Sequence, residues 1–197
     1  MRKARLILVR HGESEGNRDR RFTQSSKVPI TDLGRRQAQE AAEAIAARFR
    51  PTRLISSPYV RARQTAEILA ARLGLPIEEH EEFREQSFGV FAGKPYESLL
   101  SDAGYHDRPR WVWRPPGGES LEDVAARVVP AALRVAEECC GTEVVIVSHG
   151  GVMLALSAYV NGGWEGLSVP PNGGIVVLDY AGGSFHIAHD GGRSEPR

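Results

Sequence analysis

Cysteine is almost absent from the chain: only Cys139 and Cys140 occur, side by side. Adjacent cysteines are poorly placed for a structural disulfide, and no C-x-x-C zinc spacing exists, so neither kind of staple is expected. Long hydrophobic runs are also missing. Runs such as those at 144–147 and 175–178 fall far short of a bilayer span. The basic start Met1-Arg2-Lys3-Ala4-Arg5 has the look of a signal n-region. Only residues 6–9 follow before Arg10 and His11, which leaves no room for a signal-peptide h-region. An excess of either charge is lacking too, since Lys+Arg and Asp+Glu both number 25. No nucleic-acid or membrane partner is therefore expected, a cytoplasmic location is the default, and any concentration of positive charge must be local.

What is present is ordinary for a globular protein: 197 residues, 41% of them hydrophobic. A chain of this length buries roughly 70% of the surface that its unfolded form exposes. Residues 1–190 are expected to form a single domain, with 191–197 as a frayed tail. Short apolar runs at 6–9, 54–55, 144–147 and 175–178 read as buried strands, and 185–187 as an edge strand after the Gly182-Gly183 turn. Helical spacing links Ala38, Ala41, Ala42, Ile45, Ala46 and Phe49, with Thr31 or Asp32 placed to cap the start. A second stripe holds Ala62, Thr65, Ala66, Leu69 and Leu73, ended by Gly74 and Pro76. A third runs from Leu121 to Cys139 behind a Ser120/Asp123 capping box, and Pro130 is expected to kink or divide it. Strands alternating with helices predict an α/β fold, a three-layer α/β/α sandwich with a mostly parallel central sheet. The Pro-, Arg- and Trp-rich stretch 104–118 reads as a long ordered loop or lid.

In such a sheet, ligands gather beyond the carboxyl ends of the strands. Three of the apolar runs end there in groups suited to an anion: Arg10-His11-Gly12, Ser57 followed by Arg61, and His149-Gly150. Phosphoryl transfer needs little else, because its catalysis is mostly positioning and electrostatic clamping. Arginine binds phosphate oxygens with a planar, permanently charged fork. A neutral imidazole is a competent nucleophile, and a covalent phosphohistidine divides one hard step into two. A second histidine, if protonated, stabilises charge on the phosphoryl oxygens. Glycine beside the nucleophile lets substrate and backbone approach closely. The leaving oxygen then requires a proton from a carboxylic acid.

Leu8-Val9-Arg10-His11-Gly12-Glu13-Ser14, with Asn17 following, resembles the signature of the histidine phosphatase superfamily, also called phosphoglycerate-mutase-like. The segments 56–66, 83–89, 117–120 and 147–151 resemble its later motifs in order, so the likeness runs from about residue 6 to residue 180. The resemblance implies a phosphoglycerate mutase-like fold and a metal-independent phosphatase that needs no cofactor and acts on a small phosphorylated substrate. It implies that His11 is the nucleophile, that Arg10, Arg61 and His149 hold the phosphoryl group beside Gly150, that Asn17 is a further phosphate contact, and that Glu85 is the proton donor. One departure is Phe91-Ala92-Gly93, where an acidic residue often precedes the glycine.

Competing readings attach to several of these residues. Arg63 is expected to be solvated, as are Glu78, Glu79, Glu81 and Glu82, which surround Glu85 in sequence. Ser57 is expected to cap the helix that follows it. His80, His106, His186 and His189 have no recognisable metal-ligand spacing. Arg18, Arg20, Arg21 and Lys27 read as either a steering rim or a solvated loop. Trp111 and Trp113 read as either substrate contacts or lid packing. A cofactor-dependent phosphoglycerate mutase, primed by 2,3-bisphosphoglycerate, is the first alternative function. The short interval between Glu85 and Gly118 and the short tail favour the phosphatase. A phospho-ligand binding protein with a decayed site is the second, and its mark would be loss of a motif residue, which is not seen.

Overall fold

The computed structural model describes residues 3–23 and 25–188, with only the backbone of Ala103. The tail expected at 191–197 and His189 lie outside the described residues. Six strands form one sheet: β1 (Lys3–Arg10), β2 (Arg53–Ser56), β3 (Ile77–Glu79), β4 (Glu143–Ser148), β5 (Ile175–Ala181) and β6 (Ser184–Ile187). Their order is β3-β2-β4-β1-β5-β6. The first four are mutually parallel, whereas β5 and β6 run antiparallel. Six α-helices accompany them: α1 (Glu15–Arg18), α2 (Asp32–Arg48), α3 (Val60–Leu73), α4 (Ala103–His106), α5 (Leu121–Glu138) and α6 (Gly150–Asn161).

The central strands are apolar at successive positions because both sheet faces are covered, which is the pattern a sandwiched parallel sheet requires. Leu6, Leu8, Ile55, Val144 and Ile146 pack on one face with Val124, Val128 and Ala132 of α5 and with Met153 and Leu156 of α6. Ile7, Val9, Leu54, Val145 and Val147 pack on the other with Ala41 and Ile45 of α2 and with Ala62, Ala66 and Leu69 of α3. The fold is the expected three-layer sandwich. No helix among the described residues is long and apolar enough to cross a membrane.

Local signals account for most boundaries. Thr31 caps α2 by accepting from the Gly34 N–H, Ser120 and Asp123 form the reciprocal box at α5, and Gly74 closes α3 at a φ of 70°. The expected division at Pro130 does not occur, for α5 runs through it as one helix. Pro130 lies on the exposed side, while Val128, Ala131, Ala132 and Val135 stay packed.

Helix α6 and strand β3 have no counterpart among the sequence-read elements. α6 is apolar nearly all round and so lacks a stripe to detect, and β3 is three residues long with two glutamates. The stretch 104–118 also carries more structure than a loop: α4 occupies its start, and Trp113 is buried against Phe91 and Tyr105.

Candidate active site

The carboxyl ends of β1, β2 and β4 open into a cavity of about 490 Å³ whose inner wall holds Arg10, His11, Asn17, Arg61, Glu85 and Gly150. Arg10 and His11 arrive together at the end of β1 and the other four from separate parts of the chain, and all six were singled out in the sequence. His11 follows β1, and its main chain continues the sheet by donating to the Ser148 carbonyl at 2.9 Å. Gly12 does not serve the substrate as expected. A Cβ there would lie 2.1 Å from the Gly34 carbonyl oxygen, so glycine is required for α2 to approach the strand end.

The His11 ring lies 2.7 Å from the Gly12 carbonyl through Nδ1, and its Nε2 lies 3.1 Å from the Arg61 Nε. A carbonyl only accepts and a guanidinium N–H only donates. Nδ1 therefore carries the proton, and the Nε2 lone pair accepts from the Arg61 Nε–H at the cavity wall. Burial pushes the His11 pKa well below its ordinary value, with Arg61 and then Arg10 adding to the shift against the Gly12 carbonyl. The imidazole is thus held neutral, as a nucleophile must be.

His149 stands at the start of α6 with its ring centroid 5.1 Å from that of His11. Its Nε2 lies 2.7 Å from the Ser57 Oγ, and that oxygen accepts the Tyr59 N–H at 3.3 Å. In the tautomer with its proton on Nδ1, His149 accepts the Ser57 hydroxyl proton at Nε2 and keeps an N–H for a ligand. Ser57 thus orients His149, whereas the N-cap of α3 is Tyr59 and makes no side-chain cap bond. Burial first, then Arg61 and His11, push the His149 pKa well below the usual range. This setting favours the neutral ring, whereas the sequence-based expectation was of a protonated second histidine.

Three buried nitrogens have no hydrogen-bond partner among the described residues: Arg10 Nε, Arg61 Nη1 and His149 Nδ1. Orphaned buried donors are costly unless something accepts from them. Arg61 is the more enclosed arginine, at 1% exposure. Burial opposes the charge of both arginines, and the Glu85 carboxyl opposes that effect. The amino end of α6 begins at Gly150, which adds a positive helix-dipole end to the same wall.

Glu85 Oε1 accepts the Gln86 N–H at 2.9 Å and the Gly151 N–H at 3.1 Å. A Cβ at Gly151 would lie 2.7 Å from that oxygen, so the second glycine of His-Gly-Gly makes room for the carboxyl. The segment is held from behind by Glu119, which pairs with Arg84 at 2.6 Å and Arg127 at 3.0 Å. Burial would raise the Glu119 pKa, but hydrogen bonds from Arg84 and Arg127 bring it down to about 2. Arg127 also donates to the Glu82 and Glu85 carbonyls, and Ser148 Oγ donates to that of Phe83. By contrast, Glu78, Glu79 and Glu82 pair outside the cavity with Arg53, Arg63 and Arg134.

Asn17 lines the cavity and is tied down within it. Its Oδ1 accepts from Ser14 and from Asn172 Nδ2, and its Nδ2 donates to the Tyr96 hydroxyl at 3.3 Å. Asn172 also donates to the His11 carbonyl at 3.0 Å, and the neighbouring Pro170 carbonyl accepts from Arg10 Nη1 at 2.6 Å. This connection into β5 was missed, although the Pro170-Pro171-Asn172-Gly173-Gly174 turn signal was available.

The remaining candidates stand apart. Arg18 pairs with Asp19, Arg20 with Glu97, and Arg21 bonds the Gly93 carbonyl, so the steering rim is largely tied off. His106 bonds the Leu100 carbonyl and His186 lies beside Ser184. Trp111 lies parallel to Trp164, while Trp113 reaches the cavity.

Comparisons with known proteins show the family of the chain. The family model described as "Histidine phosphatase superfamily (branch 1)" matches residues 6–190. A glucosyl-3-phosphoglycerate phosphatase of Mycobacterium tuberculosis is 38% identical over 170 residues, covering 80% of this chain and 75% of that protein. A solved structure of mycobacterial glucosyl-3-phosphoglycerate phosphatase complexed with VO3 superposes with a TM-score of 0.78 at 33% identity, covering 90% of this chain and 91% of the other. YhfR from Bacillus stearothermophilus gives a TM-score of 0.86 at 28% identity, covering 97% and 98%.

Proposed function

The chain belongs to the histidine phosphatase superfamily, and on that premise we propose how its residues divide the work of phosphomonoester hydrolysis. The observation that carries the reading is the arrangement around His11: a neutral imidazole whose Nε2 is covered only by the Arg61 Nε–H, and three buried nitrogens beside it without partners among the described residues.

In the first half-reaction His11 Nε2 attacks phosphorus, the bond to the leaving oxygen breaks, and Glu85 gives that oxygen its proton. The Arg61 Nε–H, which otherwise rests on the Nε2 lone pair, turns to a phosphoryl oxygen as the imidazole commits to bond formation. Arg10, Arg61 and the His149 N–H take the charge on the equatorial oxygens, with Asn17 and the amino end of α6 at the margin. The product is a phosphohistidine and a free alcohol. In the second half-reaction water attacks the same phosphorus, Glu85 takes its proton, and the P–N bond breaks to release phosphate and neutral His11. Clamping by fixed cations and N–H groups supplies the electrostatic stabilisation that a metal ion provides in other phosphatases.

The substrate is a small phosphorylated compound, and the relatives make glucosyl-3-phosphoglycerate one candidate to assay. The decisive experiment follows p-nitrophenyl phosphate hydrolysis in excess EDTA for the wild type and His11→Ala. Turnover by the wild type and a loss of at least about 10⁴-fold in the variant are expected. Activity that survives the substitution overturns the mechanism. Phosphoryl transfer that depends on added 2,3-bisphosphoglycerate, without hydrolysis, would make the protein a mutase.

A further inference from the structure

Beyond the phosphoryl pocket the cavity changes character. Phe22, Phe88, Leu99, Leu100, Tyr105 and Trp113 line its outer part. These side chains brace one another: Phe22 lies 4.4 Å from Phe88 and 4.9 Å from Tyr96, and Tyr105 lies 5.1 Å from Trp113, centroid to centroid. The wall is therefore formed before a ligand arrives. Leu100 faces this space while 65% exposed, so a ligand seated here removes aliphatic surface from water.

Of the polar side chains within reach, Asn17 and Gln86 are committed elsewhere, and Thr23, Tyr105 and Arg110 complete the polar part of the lining. Asn17 spends its carbonyl oxygen on Ser14 and Asn172 and directs its amide to Tyr96. Gln86 Nε2 donates to the Glu119 carbonyl at 2.6 Å. Arg110 is the charged residue of the outer wall. A polyhydroxylated group placed here would give up its water for carbon and few free partners, which carries a desolvation penalty.

Resting on the phosphohistidine reading above, we propose that the preferred substrates are phosphomonoesters whose organic part is apolar and ring-bearing, not a polyol or a sugar. The chemistry of the outer wall selects them by burial, and the inner pocket treats every phosphoryl group alike. The relatives named for a glucosylated substrate thus mark the family of this chain and not its preference.

The test compares 2-phenylethyl phosphate with glycerol 1-phosphate and glucosyl-3-phosphoglycerate, alkyl esters whose leaving alcohols have similar acidity. Differences among them then report binding of the organic part, not departure of the oxygen. The wild type is expected to show a kcat/KM about 100-fold higher for 2-phenylethyl phosphate. Trp113→Ala should reduce that value about tenfold and narrow the ratio, and Leu100→Asn, at an exposed position where folding is not at stake, should narrow it in the same direction. Equal or greater kcat/KM for either polar ester overturns the proposal, as does a ratio that neither variant changes. Hydrolysis of none of the three esters, together with inert p-nitrophenyl phosphate, defeats the phosphohistidine reading itself and the proposal with it. Hydrolysis of p-nitrophenyl phosphate alone leaves that reading standing and overturns only the assignment of substrate class.

Discussion

The inner and outer halves of the cavity are built by opposite means. The inner half is made of strand ends and helix starts: His11 after β1, Ser57 after β2, His149 between β4 and α6, Arg61 in the first turn of α3. Its side chains are charged or polar, with His11, Ser57, Arg61 and His149 buried, and three nitrogens lack partners among the described residues. The outer half is made of irregular chain, with short 3-10 turns at Gly89–Phe91 and Tyr96–Ser101 and the residues around α4. Its side chains are aromatic and aliphatic, and they satisfy one another. Groups that stabilise transferring charge must not relax, so they sit on the rigid sheet. Groups that recognise the remainder of a ligand need only shape and apolar area, which packed loops supply.

If that division holds, substitutions in the two halves separate in kinetics. The largest effect is expected at Arg61, where Arg61→Ala should cost about 10³–10⁵ in kcat on every substrate alike. The same change removes the second cause of the low His11 pKa, so the imidazole should titrate closer to its ordinary value in an NMR titration. A substrate-dependent loss at Arg61 would blur the boundary between the halves.

Glu85→Gln comes next, because it stops proton donation while preserving the bonds from Gln86 and Gly151 to Oε1. A drop of about 10²–10⁴ in kcat is expected for alkyl phosphates. The drop should be clearly smaller for p-nitrophenyl phosphate, whose leaving group departs without a proton. Equal losses on both would place Glu85 outside proton transfer and shift it to a purely structural role beside Glu119.

The smallest effect is on stability, and it belongs to the inner half alone. His11 and His149 have folded-state pKa values lowered by burial and then by Arg61. The unfolded chain therefore binds protons first as pH falls below about 6.5, and stability declines from there until the folded-state values are reached. The slope approaches about 1.4 kcal/mol per pH unit for each histidine. Urea unfolding between about pH 7.5 and about pH 5.5 reads it. His149→Gln should reduce the slope, and Trp113→Ala should leave it intact. The Glu119 contribution, with its pKa at about 2, is lost only further down, as pH falls through and below the usual glutamate range, outside the interval of that measurement.

Legibility in the sequence followed the same division. The inner residues could be picked out because a buried strand is a short apolar run, and the polar residue at its end is conspicuous. Arg10, His11, Arg61 and His149 were found that way, as was the sandwich itself. Glu85 was distinguishable from its acidic neighbours only through the resemblance to a family motif, since nothing local separates it from Glu82. Ser57 was misread because a serine ahead of a helix looks like a cap, and its histidine partner lies 92 positions away.

The amino-acid sequence by itself determined which segments become strands and capped helices, and hence which residues emerge at the sheet edge. These are short-range matters of periodicity, turn chemistry and capping. Only the tertiary structure decided the protonation of the two histidines, the hold of Glu119 on the segment carrying Glu85, and the joining of Phe22, Phe88 and Trp113 into one wall. Each of those depends on burial or on contacts between distant parts of the chain, and neither leaves a local trace in the order of residues.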